Sequence, residues 1–235
     1  HDCIRFDEND DDNGFPDLYY RGQDNKVMLV EFKAYLFPEA IPKDPNKQAI
    51  LKYINDRFVK DGSKKKGVLQ LCSNIKNMLS GKYDFDHKIN KCVYKNNIHI
   101  YPILCHNDFN FSIPGLAQYL NRIMTEELSE INKTKVIIHD LVLLSLDNFI
   151  NFFLYDKKMT DVFNIINSYE AYVIKMAERY HASRNPNDFL TSKISLDGYI
   201  LQKGIFTSKM NDVENKRNSI ISATGLTQEL LEETY

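Results

Sequence analysis

Apolar positions along the chain recur first with the period of a strand and later with that of a helix. Residues 17–21 (Asp-Leu-Tyr-Tyr-Arg) and 26–33 are rich in aliphatic and aromatic side chains, and Gly22-Gln23-Asp24-Asn25 between them has turn chemistry. This pattern predicts a β-hairpin. After a stretch punctuated by Pro38, Pro42 and Pro45, two helical segments are expected at 46–60 and 64–79, separated by Asp61-Gly62-Ser63. The second carries Val68, Leu71, Cys72, Ile75, Met78 and Leu79 at one-sided helical spacing. Further on, a strand is expected at 98–105 and a helix at 114–128 with Pro114 in its first turn. Another strand is expected at 136–146, with Asp147 capping the helix after it. Residues 161–181 have long helical periodicity; past Asn185-Pro186 the chain turns polar, and a short helix is expected after Gly225. A strand pair, then helices, then strands alternating with helices indicates an α/β protein with a mixed sheet.

Composition narrows the class. At 235 residues and 43% hydrophobic, the chain has enough apolar surface to bury a core, which excludes wholesale disorder. The net charge of −2 excludes a globally basic nucleic-acid binder. The most apolar stretches, 26–30 and 136–146, are too short to span a bilayer, and no secretory signal opens the sequence. Cys3, Cys72, Cys92 and Cys105 show no Cys-x-x-Cys spacing, which suits free thiols in a reducing cytoplasm and no structural zinc. The chain begins without Met, so it is expected to belong to a longer protein.

The chemistry concentrates in the hairpin. On a strand at 26–33, Val27, Leu29, Glu31 and Lys33 share one face, and Met28, Val30 and Phe32 the other. An apolar strand thus ends by presenting a carboxylate and an ammonium side by side. Asp17, preceded by Pro16, opens the neighbouring strand and should lie near Glu31. Two buried carboxylates repel, and a divalent cation relieves both their repulsion and their desolvation. Hard oxygen donors with an incomplete shell suit Mg²⁺ or Mn²⁺. Such an ion, with Lys33 orienting a water or neutralising developing charge, is what phosphodiester hydrolysis requires.

Pro16-Asp17, followed after thirteen residues by Glu31-Phe32-Lys33, resembles the signature of the PD-(D/E)xK nuclease superfamily. The resemblance covers roughly residues 7–146. It implies a restriction-endonuclease-like mixed β-sheet flanked by helices for residues 1–156, with a mainly helical C-terminal extension over 157–235. It further implies that Asp17 and Glu31 bind metal, that Lys33 assists the attacking water, and that Gln70, on the helix after the signature, supports the site. Many members also carry a glutamate on a helix before the signature; here only Glu8 precedes it, in a polar stretch. The implied activity is a Mg²⁺- or Mn²⁺-dependent nuclease, with DNA the expected substrate ahead of RNA. Prokaryotic relatives often act in restriction or anti-phage defence, within larger proteins, homo-oligomers or complexes. The competing reading is a catalytically inactive module of the same fold that binds nucleic acid or protein.

Charge segregation bears on the substrate. Between residues 43 and 95 there are 13 basic residues against five acidic ones, a local net of +8 against −10 elsewhere. Lys64-Lys65-Lys66, expected to open the helix bearing Gln70, would meet a phosphate backbone at the metal edge. Other candidates have plainer uses. Asp10-Asp11-Asp12 reads as a solvated acidic run. His99, His106 and His139 read as hydrogen-bonded strand histidines, and Tyr19 and Tyr20 as packing residues.

Overall fold

The computed structural model describes residues 2–6, 14–37, 46–92, 98–131, 136–154 and 159–206. The strands are β1 (Cys3–Phe6), β2 (Leu18–Arg21), β3 (Lys26–Lys33), β4 (Lys60–Asp61), β5 (Lys64–Lys65), β6 (Ile98–His106), β7 (Val136–Ile138) and β8 (Val142–Ser145). The helices are α1 (Lys47–Phe58), α2 (Gly67–Leu79), α3 (His87–Cys92), α4 (Leu116–Glu127), α5 (Leu146–Leu154), α6 (Met159–Ser183), α7 (Pro186–Thr191) and α8 (Leu196–Lys203). The protein is α/β. Its main sheet runs β1-β2-β3-β6-β7, with β8 also pairing β6. β1, β2 and β3 are antiparallel, whereas β6 is parallel to β3, β7 and β8, so the sheet is mixed.

The parallel centre is covered on both faces, which is why β3 and β6 read as almost continuous apolar runs. Val27 and Leu29 of β3 and Ile98, Ile100 and Leu104 of β6 face one core. There they meet Ile54 and Phe58 of α1, Leu71 and Ile75 of α2, and Leu120 and Met124 of α4. Met28, Val30, Tyr101 and Ile103 face a second core. This one is closed by Phe149 and Phe152 of α5, Val162, Phe163 and Ile166 of α6, and Leu196 and Ile200 of α8. Helices beyond residue 157 therefore share a core with the sheet. No helix among the described residues is long and apolar enough to cross a membrane.

Four sequence expectations are corrected. The strand expected at 136–146 is two strands, β7 and β8, broken at residues 139–141. Pro102 lies in the middle of β6, opposite Leu29 of β3. The Ile100 carbonyl points to the β7 side, where it accepts His139 N at 2.9 Å. Pro102, two residues on, therefore turns its missing N–H toward that same side, and the ladder lapses there. The helix expected from residue 64 starts only at Gly67: Lys64 and Lys65 form β5, paired with β4 across a turn in which Gly62 has φ +58°. Finally, Asp147 lies inside the first turn of α5 rather than capping it, and α4 starts after Gly115 (φ +88°), beyond Pro114. The segment after Gly225, with Glu8 and Asp10-Asp11-Asp12, lies outside the described residues.

Candidate active site

The site forms where β2 begins and β3 ends. β2 pairs with β3 in the register Leu18 to Val30. Continued by one residue, this sets Asp17 opposite Glu31, and opposed residues of an antiparallel pair project to the same face. Beyond the last paired residue the Phe32 N–H would lose its ladder partner. The Asp17 carboxylate replaces it, accepting Phe32 N at 2.6 Å through Oδ2. Asp17 is thereby fixed at the strand end, partly exposed, with its other oxygen uncommitted to that bond.

Glu31 is 1% exposed. Its Oε2 accepts from Lys33 Nζ at 3.0 Å, and its Oε1 accepts from Asn74 Nδ2 at 2.8 Å. The Lys33 side chain is 12% exposed, so its ammonium is held inward against the carboxylate. Burial pushes the Glu31 carboxyl up, Lys33 pulls it down, and the charge of Asp17 raises it again; Asn74 lowers it slightly, and the net result is about 7. The group is thus balanced near neutrality, and any added positive charge would hold it ionised.

Helix α2 supplies the wall. Gly67 is its first residue, and a Cβ there would stand 2.9 Å from Leu104 Cδ1 and 3.0 Å from the Phe58 carbonyl oxygen. Glycine lets the helix start directly against the sheet. From that start Gln70 and Asn74 fall one turn apart on the same face, and Asn74 reaches Glu31. The Gln70 Oε1 is buried and accepts no hydrogen bond. Asn74 is held from behind, because its carbonyl accepts the buried Tyr83 hydroxyl at 3.1 Å.

Asp17, Glu31 and Lys33 therefore come together as their spacing suggested, with Gln70 on the adjoining helix face. Asn74 was not anticipated, although its spacing of four from Gln70 on a buried face was a usable signal. The lysines divide. Lys64 and Lys65 are exposed on the β4–β5 hairpin, where Lys65 Nζ donates to Ser73 Oγ of α2 at 2.9 Å. Lys66 is the residue before α2 and makes no side-chain cap. The two tyrosines beside Asp17 serve packing, as expected: Tyr19 hydrogen-bonds Asp86 at 2.8 Å and Tyr20 stacks on Phe163.

His106 ends β6 in register with Lys33. It is fully buried, 3.5 Å from Asp197 Oδ2. Asp197 in turn accepts from Ser112 Oγ (2.6 Å), Ser145 N and Oγ (2.9 and 2.8 Å) and Asn148 Nδ2 (2.7 Å). Burial pushes Asp197 up, but these donors outweigh it and hold the carboxyl down at about 2. This hub joins α8 to the ends of β6 and β8. Comparison with known protein families, curated proteins and solved structures gives no match.

Proposed function

We propose that the protein is a metal-dependent nuclease of the PD-(D/E)xK kind, with a restriction-endonuclease-like core, acting on DNA in preference to RNA. The observation that carries this reading is the convergence of Asp17, Glu31 and Lys33 at one sheet margin, with Glu31 buried against Lys33.

A hard divalent cation suits this donor set. Each carboxylate oxygen has two lone pairs, so the bonds from Lys33, Asn74 and Phe32 N leave acceptor capacity on both acids. Mg²⁺ or Mn²⁺ held by Asp17 and Glu31 would keep waters and take its remaining ligands from phosphate. Once bound, it supplies polarisation of a phosphoryl oxygen and acidification of a water. Lys33, already aimed at Glu31, would then be released from its role as sole counter-charge. Its three donors can orient the attacking water or meet the negative charge that develops on the phosphate. Asn74 keeps the Glu31 carboxylate turned toward the site, and the unpaired Gln70 oxygen can accept from a water there. The exposed Lys64 and Lys65, with Lys66, would follow the phosphate backbone without reading sequence.

A second reading is a non-catalytic nucleic-acid-binding or protein-interaction module. It is favoured by one feature: Asp17, Glu31 and Lys33 already bond to one another or to neighbouring protein groups, as a purely structural charge cluster would. The discriminating experiment is incubation with supercoiled plasmid across Mg²⁺ and Mn²⁺ concentrations, with Lys33→Ala alongside and metal binding followed by calorimetry. Metal-dependent cleavage by the parent and not by Lys33→Ala supports the nuclease. DNA binding with neither cleavage nor metal uptake supports the module.

A further inference from the structure

The break between β7 and β8 opens a cavity on the sheet edge away from the β1 side. It has a volume of about 310 Å³ and is lined by residues 137–141 of the break, by α4 and by α6. That size is at the lower end of small-molecule pockets. The break itself is fixed. Asn121 of α4 accepts Leu141 N at 2.9 Å and donates to Asp140 Oδ1 at 2.8 Å. His139 stacks on Tyr101 at 3.9 Å between ring centroids.

Two lining residues carry unmet acceptors that a side-chain rotation would turn into the cavity. Gln118 Oε1 on α4 and Glu170 Oε1 on α6 are both closed to solvent and receive no hydrogen bond. Glu170 commits only Oε2, which lies 3.0 Å from His139 Nδ1, and His139 Nε2 is 3.1 Å from His99 Nδ1. A buried acceptor left unpaired is destabilising, and a donor entering the cavity would relieve that. The terminal torsions of Gln and Glu are broad, so either oxygen can swing onto such a donor at little cost. Charge selects the kind of donor: among the described residues the lining includes Asp140 and Glu170 but neither lysine nor arginine. Most of the remaining wall is apolar, and Ile137 and Ile174 at its margin are 41% and 59% exposed.

We propose that this cavity binds a small organic cation, a primary amine or amidine carried on an apolar group, with Glu170 as its counter-charge. The ammonium or amidinium donates to Glu170 Oε1 and Gln118 Oε1, and the apolar part lies on Ile137, Val173 and Ile174. This site is separate from the Asp17–Glu31 edge and does not rest on the nuclease reading.

The test uses benzylamine as probe, with benzoate and benzyl alcohol as controls of similar shape, measured by calorimetry on the full chain at neutral pH. Benzylamine is expected to bind saturably, with benzoate at least tenfold weaker. Glu170→Gln keeps an oxygen for His139 and offers an NH₂ to the cavity, so it should weaken benzylamine at least tenfold and narrow or reverse the preference over benzoate. Val173→Phe, which fills the cavity, should abolish binding of both. Equal binding of benzoate and benzylamine by the parent, no saturable benzylamine binding, or undiminished affinity in both variants would overturn the proposal. The comparison of probes on the parent needs no variant to fold.

Discussion

Asn74 and Glu31, 43 residues apart in sequence, share a buried hydrogen bond of 2.8 Å. This bond couples the end of β3 to the middle of α2. The Asn74 backbone carbonyl also takes the Tyr83 hydroxyl, so the helix turn that carries the amide is held in place. Asn74→Ala would leave a buried carboxylate oxygen without its donor. The expected cost is about 1–3 kcal/mol, larger than for an exposed asparagine, and urea unfolding measures it. Asn74→Asp should be worse, since it sets a second acid against Glu31.

Glu31 gives the protein a distinctive pH dependence. Its carboxyl titrates at about 7 in the folded chain and near 4.3 in an unfolded one. Between those values the folded state binds more protons, so stability from this group is complete below pH of about 4 and falls as pH rises through 7. The loss is on the order of 3 kcal/mol. Urea unfolding at pH 5 and pH 8 should show parent stability falling more steeply than that of Glu31→Gln, which has nothing to titrate. An equal slope for the two would remove the assignment.

If the site is catalytic, Lys33→Ala and Glu31→Ala should lower plasmid cleavage by about 10²-fold or more while leaving the fold intact by circular dichroism. Lys33→Ala should also destabilise the protein, because a buried Glu31 carboxylate then lacks its cation. That penalty should shrink in the double variant Lys33→Ala/Glu31→Gln, which unfolding measurements can check. Parent-like cleavage by Lys33→Ala would reject the enzymatic reading.

The hairpin was legible because turn chemistry, alternation and a polar strand end all agreed, and the convergence of Asp17 with Glu31 followed from antiparallel pairing alone. Gln70 was legible as a helical position, and its place beside the site was implied by the resemblance alone; the Asn74 contact with Glu31 was not legible, since it depends on how close α2 approaches the sheet, and Gly67 sets that distance. The break after Ile138 was missed although His139 and Asp140 interrupt the apolar run of 136–146 at that point. Its other determinant, Pro102, lies in the neighbouring strand and becomes visible only once β6 and β7 are paired. β1 was missed for a similar reason: Ile4 and Phe6 on an edge strand are exposed, so alternation there has no buried face to advertise it. The Asp197 hub was invisible because its donors come from Ser112, Ser145 and Asn148, polar residues that by sequence alone look like loop and cap chemistry.

That hub carries its own prediction. Asp197→Ala strands the Ser145 N–H and Asn148 amide in a buried site, with an expected cost of about 3–5 kcal/mol in urea unfolding. The carboxyl titrates at about 2 when folded, below its unfolded value, so its stabilisation is present above pH of about 4 and is lost as pH falls through 2. This window lies below that of Glu31 and slopes the other way. Acid unfolding of the parent should therefore begin where Glu31 is already protonated, and Asp197→Asn should flatten the acid limb only.

The basic hairpin can be separated from the chemistry by salt. Lys64 and Lys65 are exposed beside α2, and Lys65 is steadied by Ser73; on the nuclease reading both contact phosphates rather than bases. Each phosphate contact releases counterions and contributes about 0.9 to the slope of log affinity against log salt on duplex DNA. Removing all three charges in Lys64→Ala/Lys65→Ala/Lys66→Ala should lower that slope by about 2–3 and weaken binding about equally on unrelated sequences. On the nuclease reading these side chains hold substrate without touching the scissile bond, so turnover at saturating DNA should stay near the parent value. Lys33→Ala should do the opposite, losing turnover with the salt slope nearly unchanged. A triple variant that loses turnover at saturation but keeps the parent salt slope would move these lysines out of the binding surface.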